Sequence, residues 1–151
     1  MSSYTSAGTV LSVCASAPAT YNQAGYEALS WTEAGEVDNL GEFGRVYELL
    51  TRKPLASRGT IKRKGSYDEG NLPLQLAYDK SDAGQTILLT GVGSDNPLSC
   101  RIVTPDSTDF YFEAMVMSFK WSVQTTSSFF MCMVDLQITT STGGVGIVRV
   151  A

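Results

Sequence analysis

Polar and apolar residues alternate along most of this chain with a period of two. From Asp109 to Val123 one face carries Tyr111, Glu113, Met115, Met117, Phe119, Trp121 and Val123. The other carries Phe110, Phe112, Ala114, Val116, Ser118, Lys120 and Ser122. Successive side chains of a strand point to opposite faces, so this run predicts one long strand whose first half is apolar on both. A polar turn at Thr125-Thr126-Ser127 leads into Ser128 to Thr140, where Phe130, Cys132, Val134, Leu136 and Ile138 alternate with Phe129, Met131, Met133, Asp135 and Gln137. The two runs predict an antiparallel hairpin. Its two-sided apolar stretch must be covered twice, by a second sheet, a helix or a neighbouring subunit. Phe110, Phe112, Met115, Met117, Phe119, Trp121, Phe130, Cys132, Val134 and Leu136 are its inner-sheet candidates, with Trp121 expected to be buried. Ser118, Lys120, Ser122, Asp135 and Gln137 are expected nearer water.

Shorter strands are predicted at Gly8 to Ala15, Glu27 to Glu33, Val46 to Arg52, Gly59 to Lys64, Asn71 to Ala77 and Ser99 to Thr104, and a short terminal one at Ile147 to Val150. One segment reads as helical, about Ser81 to Thr90. Asp79 to Asp82 offer a cap and negative charge at the positive helix end, Ala83, Ile87 and Leu88 recur at helical spacing, and Gly91 ends the run. The chain is thus mainly β. Its 151 residues are expected to form one domain with one core. A polar N-terminal arm (1–8) and a Gly-rich C-terminal tail (141–151) are expected to move unless a partner holds them.

Charge adds a second pattern. Glu27, Glu33, Glu36, Asp38, Glu42 and Glu48 are followed by Arg52, Lys53, Arg58, Lys62, Arg63 and Lys64, so the stretch is polarised along its own length. Few large apolar residues anchor it (Val37, Leu40, Phe43 and Leu55 among them), and about 40–68 is expected to project as a loop or hairpin. An acidic part and a basic part on one projecting segment suit head-to-tail contact between identical copies; a solvated loop is the plainer explanation. The inter-subunit candidates are Arg45, Arg52, Lys53, Arg58, Lys62, Arg63 and Lys64 against Glu36, Asp38 and Glu42.

The side chains that most catalysis needs are scarce. The sequence has no histidine, which removes the usual general base, the commonest metal ligand and the ordinary partner of a serine or cysteine nucleophile. No phosphate loop, CxxC pair or EF-hand spacing is present, and Gly91-Val92-Gly93 lacks the context of a dinucleotide fingerprint. The carboxylate pairs Asp68-Glu69 and Asp79 with Asp82 are better explained by turns and a helix start. Cys14, Cys100 and Cys132, each in or beside an apolar run, are expected to be buried free thiols. No catalytic, cofactor or metal residues are therefore assigned. The net charge of −4 argues against a free-standing nucleic-acid binder. No run of eighteen apolar residues and no basic leader occurs, so neither a membrane span nor a secretory signal is expected, and the protein is expected to stay in a cytoplasm at first.

The order of these elements carries a resemblance. A strand end at Trp31-Thr32-Glu33-Ala34-Gly35-Glu36-Val37 leads to the charged excursion. Then come Leu72-Pro73-Leu74-Gln75-Leu76-Ala77-Tyr78-Asp79, Ala83-Gly84-Gln85-Thr86-Ile87-Leu88-Leu89 and the closing hairpin. Over about 8–140 this resembles the major tail tube protein of long non-contractile-tailed (siphovirus, lambda-like) bacteriophages. The resemblance implies an antiparallel β-sandwich or barrel flanked by one α-helix, hexameric rings, and a stacked hollow tube that conducts the genome from the capsid. It implies that the 40–68 excursion reaches the adjoining ring. Its implied partners are copies of itself, the tape-measure protein, and tail terminator and distal tail or tip proteins, with DNA only in transit and no sequence-specific binding. The implied location is the virion tail, assembled in the bacterial host cytoplasm, with no membrane. An acidic lumen would repel phosphate and let the duplex pass.

Two other readings stand beside it. One is a hexameric inner-tube component of a contractile tail or secretion apparatus, where the same fold would serve. The other is a monomeric β-sandwich binding module, with Tyr21, Tyr26, Tyr47 and Tyr67 as an exposed aromatic platform.

Overall fold

A computed structural model describes residues 3–151. Ten strands and two helices follow in the order β1 (Val10–Cys14), α1 (Gln23–Glu27), β2 (Thr32–Ala34), β3 (Val37–Asn39), β4 (Val46–Arg52), β5 (Ile61–Asp68), β6 (Asn71–Ala77), α2 (Ala83–Val92), β7 (Leu98–Val103), β8 (Asp109–Ser122), β9 (Met131–Thr139) and β10 (Val148–Val150). Eight of the strands form one antiparallel sheet, ordered β2-β1-β7-β8-β9-β6-β3 with β10 also on β8; β4 and β5 form a ribbon of their own. The mainly β class expected from the alternation holds. The sheet is not a closed barrel, although it curls around one hydrophobic cluster drawn from β1, β2, β6, β7, β8, β9 and Leu88 of α2.

Alternation explains most of that core. Leu72, Leu74 and Leu76 of β6 and Cys132, Val134 and Leu136 of β9 are buried at every second position and face each other across the ladder. Helix α2 begins at Ala83, two residues after the expected start, because the Asp82 carboxylate accepts from the Gln85 N–H and makes Asp82 the cap. The terminal apolar alternation docks as expected of a strand, with Val148 opposite Tyr111.

Two local expectations fail for physical reasons. The strand expected over Glu27 to Glu33 is instead the end of a one-turn helix, a connection, and then β2. Helix α1 has no apolar period. It is set by the Asn22 side chain accepting from the Gly25 N–H at 2.9 Å and by Gly25 itself, where a Cβ would overlap the Thr20 carbonyl. It lies on the second face of β7 and β8, where Tyr26 stacks on Tyr111 at 5.4 Å and the Trp31 indole donates to the Tyr26 carbonyl. A second helix, not a second sheet, covers the doubly apolar half of β8.

The second failure concerns the phase of β8. Its register against β9 shifts between Val116 and Ser118, and a bulge of one residue exchanges the two faces. Phe112, Ala114 and Val116 face the core before it and Phe119 after it, so the unbroken period of two fails at Met117. Trp121, expected to be buried, is 48% exposed, as are Met117 at 60% and Phe130 at 47%. The termini carry local structure of their own. The tail folds over Ser141 to Val145, with Ser141 N–H donating to the Val145 carbonyl at 2.8 Å, and Gly146 is buried against Glu69. Of the expected N-terminal arm, residues 1 and 2 lie outside the described residues, and Ser6 closes a turn by accepting from Thr9.

The bulge predicts unequal costs of truncation. Phe112→Ala removes a side chain with no exposed surface and should cost about 3–5 kcal/mol. Trp121→Ala should cost clearly less in the same chemical denaturation experiment, and equal losses would overturn the assigned phase.

Candidate subunit interfaces

The β4–β5 ribbon stands off the body. All seven residues of β4 are exposed, including Val46, Leu49 and Leu50. The projection starts later than the expected residue 40, because Leu40 and Phe43 pack against the core, Phe43 with its ring 5.1 Å from Phe110. A lone two-stranded ribbon is marginal in water, so its base carries the burden of holding it. There Arg45 pairs with the buried Glu69 at 2.7 Å and sits 3.9 Å from the Tyr67 ring centre; Tyr67 also packs on Tyr47 and donates to the Gly144 carbonyl at 2.6 Å. Hydrogen bonds from the guanidinium to Tyr47 and Glu69 push the Arg45 pKa further up, so the group stays charged. Tail, base and body are tied together at this point.

The sequence grouped Arg45 with the other cations, and the structure separates it from them. Arg52, Lys53, Arg58, Lys62, Arg63 and Lys64 lie on the outer half of the ribbon, all exposed, with Leu49 opposite Lys64 and Leu50 opposite Arg63. Among the described residues none of these six is within 4.0 Å of a carboxylate. Glu36, Asp38 and Glu42 are exposed on the body, around β3 and before the ribbon begins. Acid and base are therefore brought to separate places. Leu55, read in the sequence as a possible anchor, is fully exposed in the 53–60 tip.

The long hairpin divides its candidates. Phe112, Phe119, Cys132, Val134 and Leu136 are core; Phe110 and Met115 are partly buried; Met117, Trp121 and Phe130 reach the surface. At the outer end Tyr78, Phe119, Trp121 and Phe130 form one aromatic group, with Tyr78 stacked on Phe130 at 5.2 Å and Phe119 and Trp121 5.1 Å apart. Val123, Phe129 and Met133 extend this exposed apolar end. Tyr78 was missed as a member; it follows a leucine strand and gives no sequence signal of its own. Pairing of β7 with β8 stops at Leu98 opposite Ala114. Among the described residues β8 from Met115 to Ser122 is thus paired with β9 alone and leaves an open edge. Ser118, Lys120, Ser122, Asp135 and Gln137 are all at least partly exposed, as the sequence led one to expect.

Under α1 lies a polar layer that the sequence did not suggest. Ser12, Ser99 and Glu113 are buried on the face that carries Tyr111, and Glu113 raises the Tyr21 pKa chiefly through a hydrogen bond. Burial raises the Tyr26 pKa, with the Glu113 charge adding to it. Tyr26 is almost wholly buried, so the aromatic platform of a monomeric binding module is not formed. Burial, aided by the Glu113 charge, pushes the Cys100 thiol up to about 12, and burial pushes Cys132 up to about 11. Thiols held protonated in this way are poor nucleophiles. The carboxylate pairs are likewise used in local structure: Asp68 accepts from Gly70 N–H, Asp79 from Ser81 N–H, and Asp82 caps α2.

No family model matches the chain, and no curated protein matches it in sequence. Solved structures do match. The chain is similar to one in the cryo-EM structure of the anti-feeding prophage baseplate, 6-fold symmetrised, with TM-score 0.69 and 7% identity, covering 100% of this chain and 97% of that one. It is similar to a chain of the PVC sheath/tube terminator of an extracellular contractile injection system in the extended state, with TM-score 0.63, 10% identity and coverage of 100% and 99%. A chain of the PVC sheath-tube complex in the extended state matches with TM-score 0.56, 9% identity and coverage of 95% and 88%. At these identities the likeness is one of fold, and that fold occurs in phage-tail-like contractile injection assemblies.

The Arg45–Glu69 contact carries a prediction. Arg45→Ala leaves Glu69 buried without its cation, and amide exchange across 46–68 should quicken while exchange in β6 and β9 stays slow. Unchanged exchange in the ribbon would show that the pair does not hold it.

Proposed function

We propose that this chain is the tube-forming subunit of a contractile injection apparatus related to phage tails, assembling in hexameric rings that stack into a hollow tube. The observation that carries this is the open edge of β8 from Met115 to Ser122 beside an exposed aromatic end. An edge of that length invites another strand, and a ring satisfies every such edge by closing the sheet through its neighbours. The whole-chain likeness to parts of the baseplate, terminator and sheath-tube structures supports it. These likenesses come from contractile systems and so favour the second sequence reading over the non-contractile tail of the first.

On this reading the face of β8 and β9 turned from the core, with Ser118, Lys120, Asp135 and Gln137, lines the channel. The cationic ribbon reaches the next ring. A sheath and a terminator join as partners from outside and at the end, and a tape-measure protein and tip proteins join as the tail resemblance implied. The role is structural rather than catalytic, within an injection particle, and the chain acts as a single tube domain.

Negative-stain microscopy of the purified chain, with and without a sheath protein, tests the class. Rings or tubes are expected; a light-scattering mass of one chain at high concentration, with neither present, would overturn it. The ribbon is tested separately by reversing Lys62, Arg63 and Lys64 to glutamate. Because these side chains are exposed, the monomer should melt as before and the tube yield should fall. A normal yield would remove the basic block from the interface.

A further inference from the structure

The place where the sheet fails to close is a cleft. About 520 Å³ lies between the chain entering β1 and β3, lined by Val37, Leu40, Phe43 and Ile102, which back onto the core, and by the exposed Asp38 and Asn39. A shallower extension of about 290 Å³ runs between Thr9 to Leu11 and Glu33 to Asp38. Both bordering strands have ladder positions to spare: β1 pairs with β2 only over Leu11 to Val13, and β3 with β6 only at Val37 and Asn39. Carboxylates surround the opening, with Glu33, Glu36 and Asp38 in the linings and Glu42 between the lining residues Gly41 and Phe43. The site combines an apolar interior with an acidic margin.

The ribbon tip has the complementary character. Leu55 is fully exposed, with Arg52 and Lys53 before it and Arg58 after it. The tip cannot enter its own cleft. The ribbon leaves the body only two residues beyond Phe43, a lining residue, and seven residues of β4 at about 3.3 Å each carry the tip roughly 23 Å away. Any occupant with this chemistry from this chain comes from another copy.

We propose that the cleft receives the ribbon tip of a second copy of this chain, with Leu55 against Val37, Leu40 and Phe43 and the tip cations on Glu36, Asp38 and Glu42. The contact joins two different surfaces, so each copy keeps one free tip and one free cleft, and copies add head to tail instead of closing as a pair. Burial of one leucine supplies the anchor, and the charges supply direction and a dependence on salt. The inference rests on the tube reading only for how many copies are joined.

Oxidative cross-linking of the variant Leu55→Cys with Asn39→Cys tests it, at the concentration used for microscopy and with copper-phenanthroline as oxidant. The natural cysteines are buried and stay out of the reaction. A ladder of dimers, trimers and higher multiples on a non-reducing gel is expected, with none from either single variant. Rings or tubes without a ladder overturn the cleft contact and leave the tube reading standing. A ladder without rings or tubes keeps the contact and sinks that reading. Monomers with neither overturn both, and products that stop at the dimer overturn the head-to-tail arrangement. As a second measure, Leu55→Asp should leave the melting temperature of the monomer unchanged and raise the concentration needed for assembly about tenfold; an unchanged threshold counts against the anchor.

Discussion

Strands β2 and β3 stand at opposite ends of the sheet yet are separated in the chain only by Gly35 and Glu36, and that constraint shapes the rest of the molecule. Two residues can join the ends only if the sheet curls through almost a full turn, which wraps the core that β6, β8 and β9 supply. Glu36 takes the left-handed conformation, with φ of 62°, at a cost of roughly 1–2 kcal/mol for a residue with a side chain. The corner survives because the start of α2 holds it. The Gln85 amide, itself buried, donates to the Gly35 and Ala77 carbonyls and accepts from the Asp79 N–H, while Asp82 accepts from the Gly35 N–H. Contact there is so close that a Cβ on Gly84 would overlap the backbone of Glu33 and Ala34. The helix serves as a plug for the seam more than as a covering layer.

Curling without closing has a consequence for assembly. A closed barrel has no edges and no need of neighbours, whereas this sheet leaves one edge open along β8 and a cleft beside β3. Both openings lie next to surface of the kind that associates, aromatic at the first and acidic at the second. The ribbon adds a third exposed element that a monomer does not use. Each of its strands is paired only with the other, and it is held to the body at its base, where Arg45, Glu69, Tyr67 and the tail meet. Stability is concentrated in the curled sheet, and the parts available for association hang from it on few contacts.

The second face of β8 is settled more locally. Glu113 and Arg101 each retain a buried polar atom without a hydrogen-bond partner among the described residues, and the layer is closed by a five-residue helix. Such a lid is held by aromatic packing, Tyr26 on Tyr111 and Trp31 under the Arg101 guanidinium, and not by helix propensity, which one turn cannot supply.

Alternation by itself determined the β class, the limits of β4 and β6 and the long hairpin, and helical spacing behind an aspartate cap determined α2, because each is a pairing of side-chain period with local backbone geometry. The composition likewise left no histidine for the commonest acid and base chemistry, and the run of cations after the run of carboxylates was legible as a stretch polarised along its length. What only the tertiary structure decided is everything that depends on which strands meet. The bulge at Met117 reverses the faces of β8 because β9 imposes its register, and no local signal in a uniformly β-like run marks that point. Helix α1 follows from one asparagine cap and one unavoidable glycine, features too short to show a period. Arg45 was grouped with the tip cations by proximity in sequence, yet Glu69, 24 residues later, is its partner because the two ribbon strands pair back to their base. The open edge and the cleft were likewise invisible in the sequence, since an unpaired edge is a property of the strand that is missing beside it.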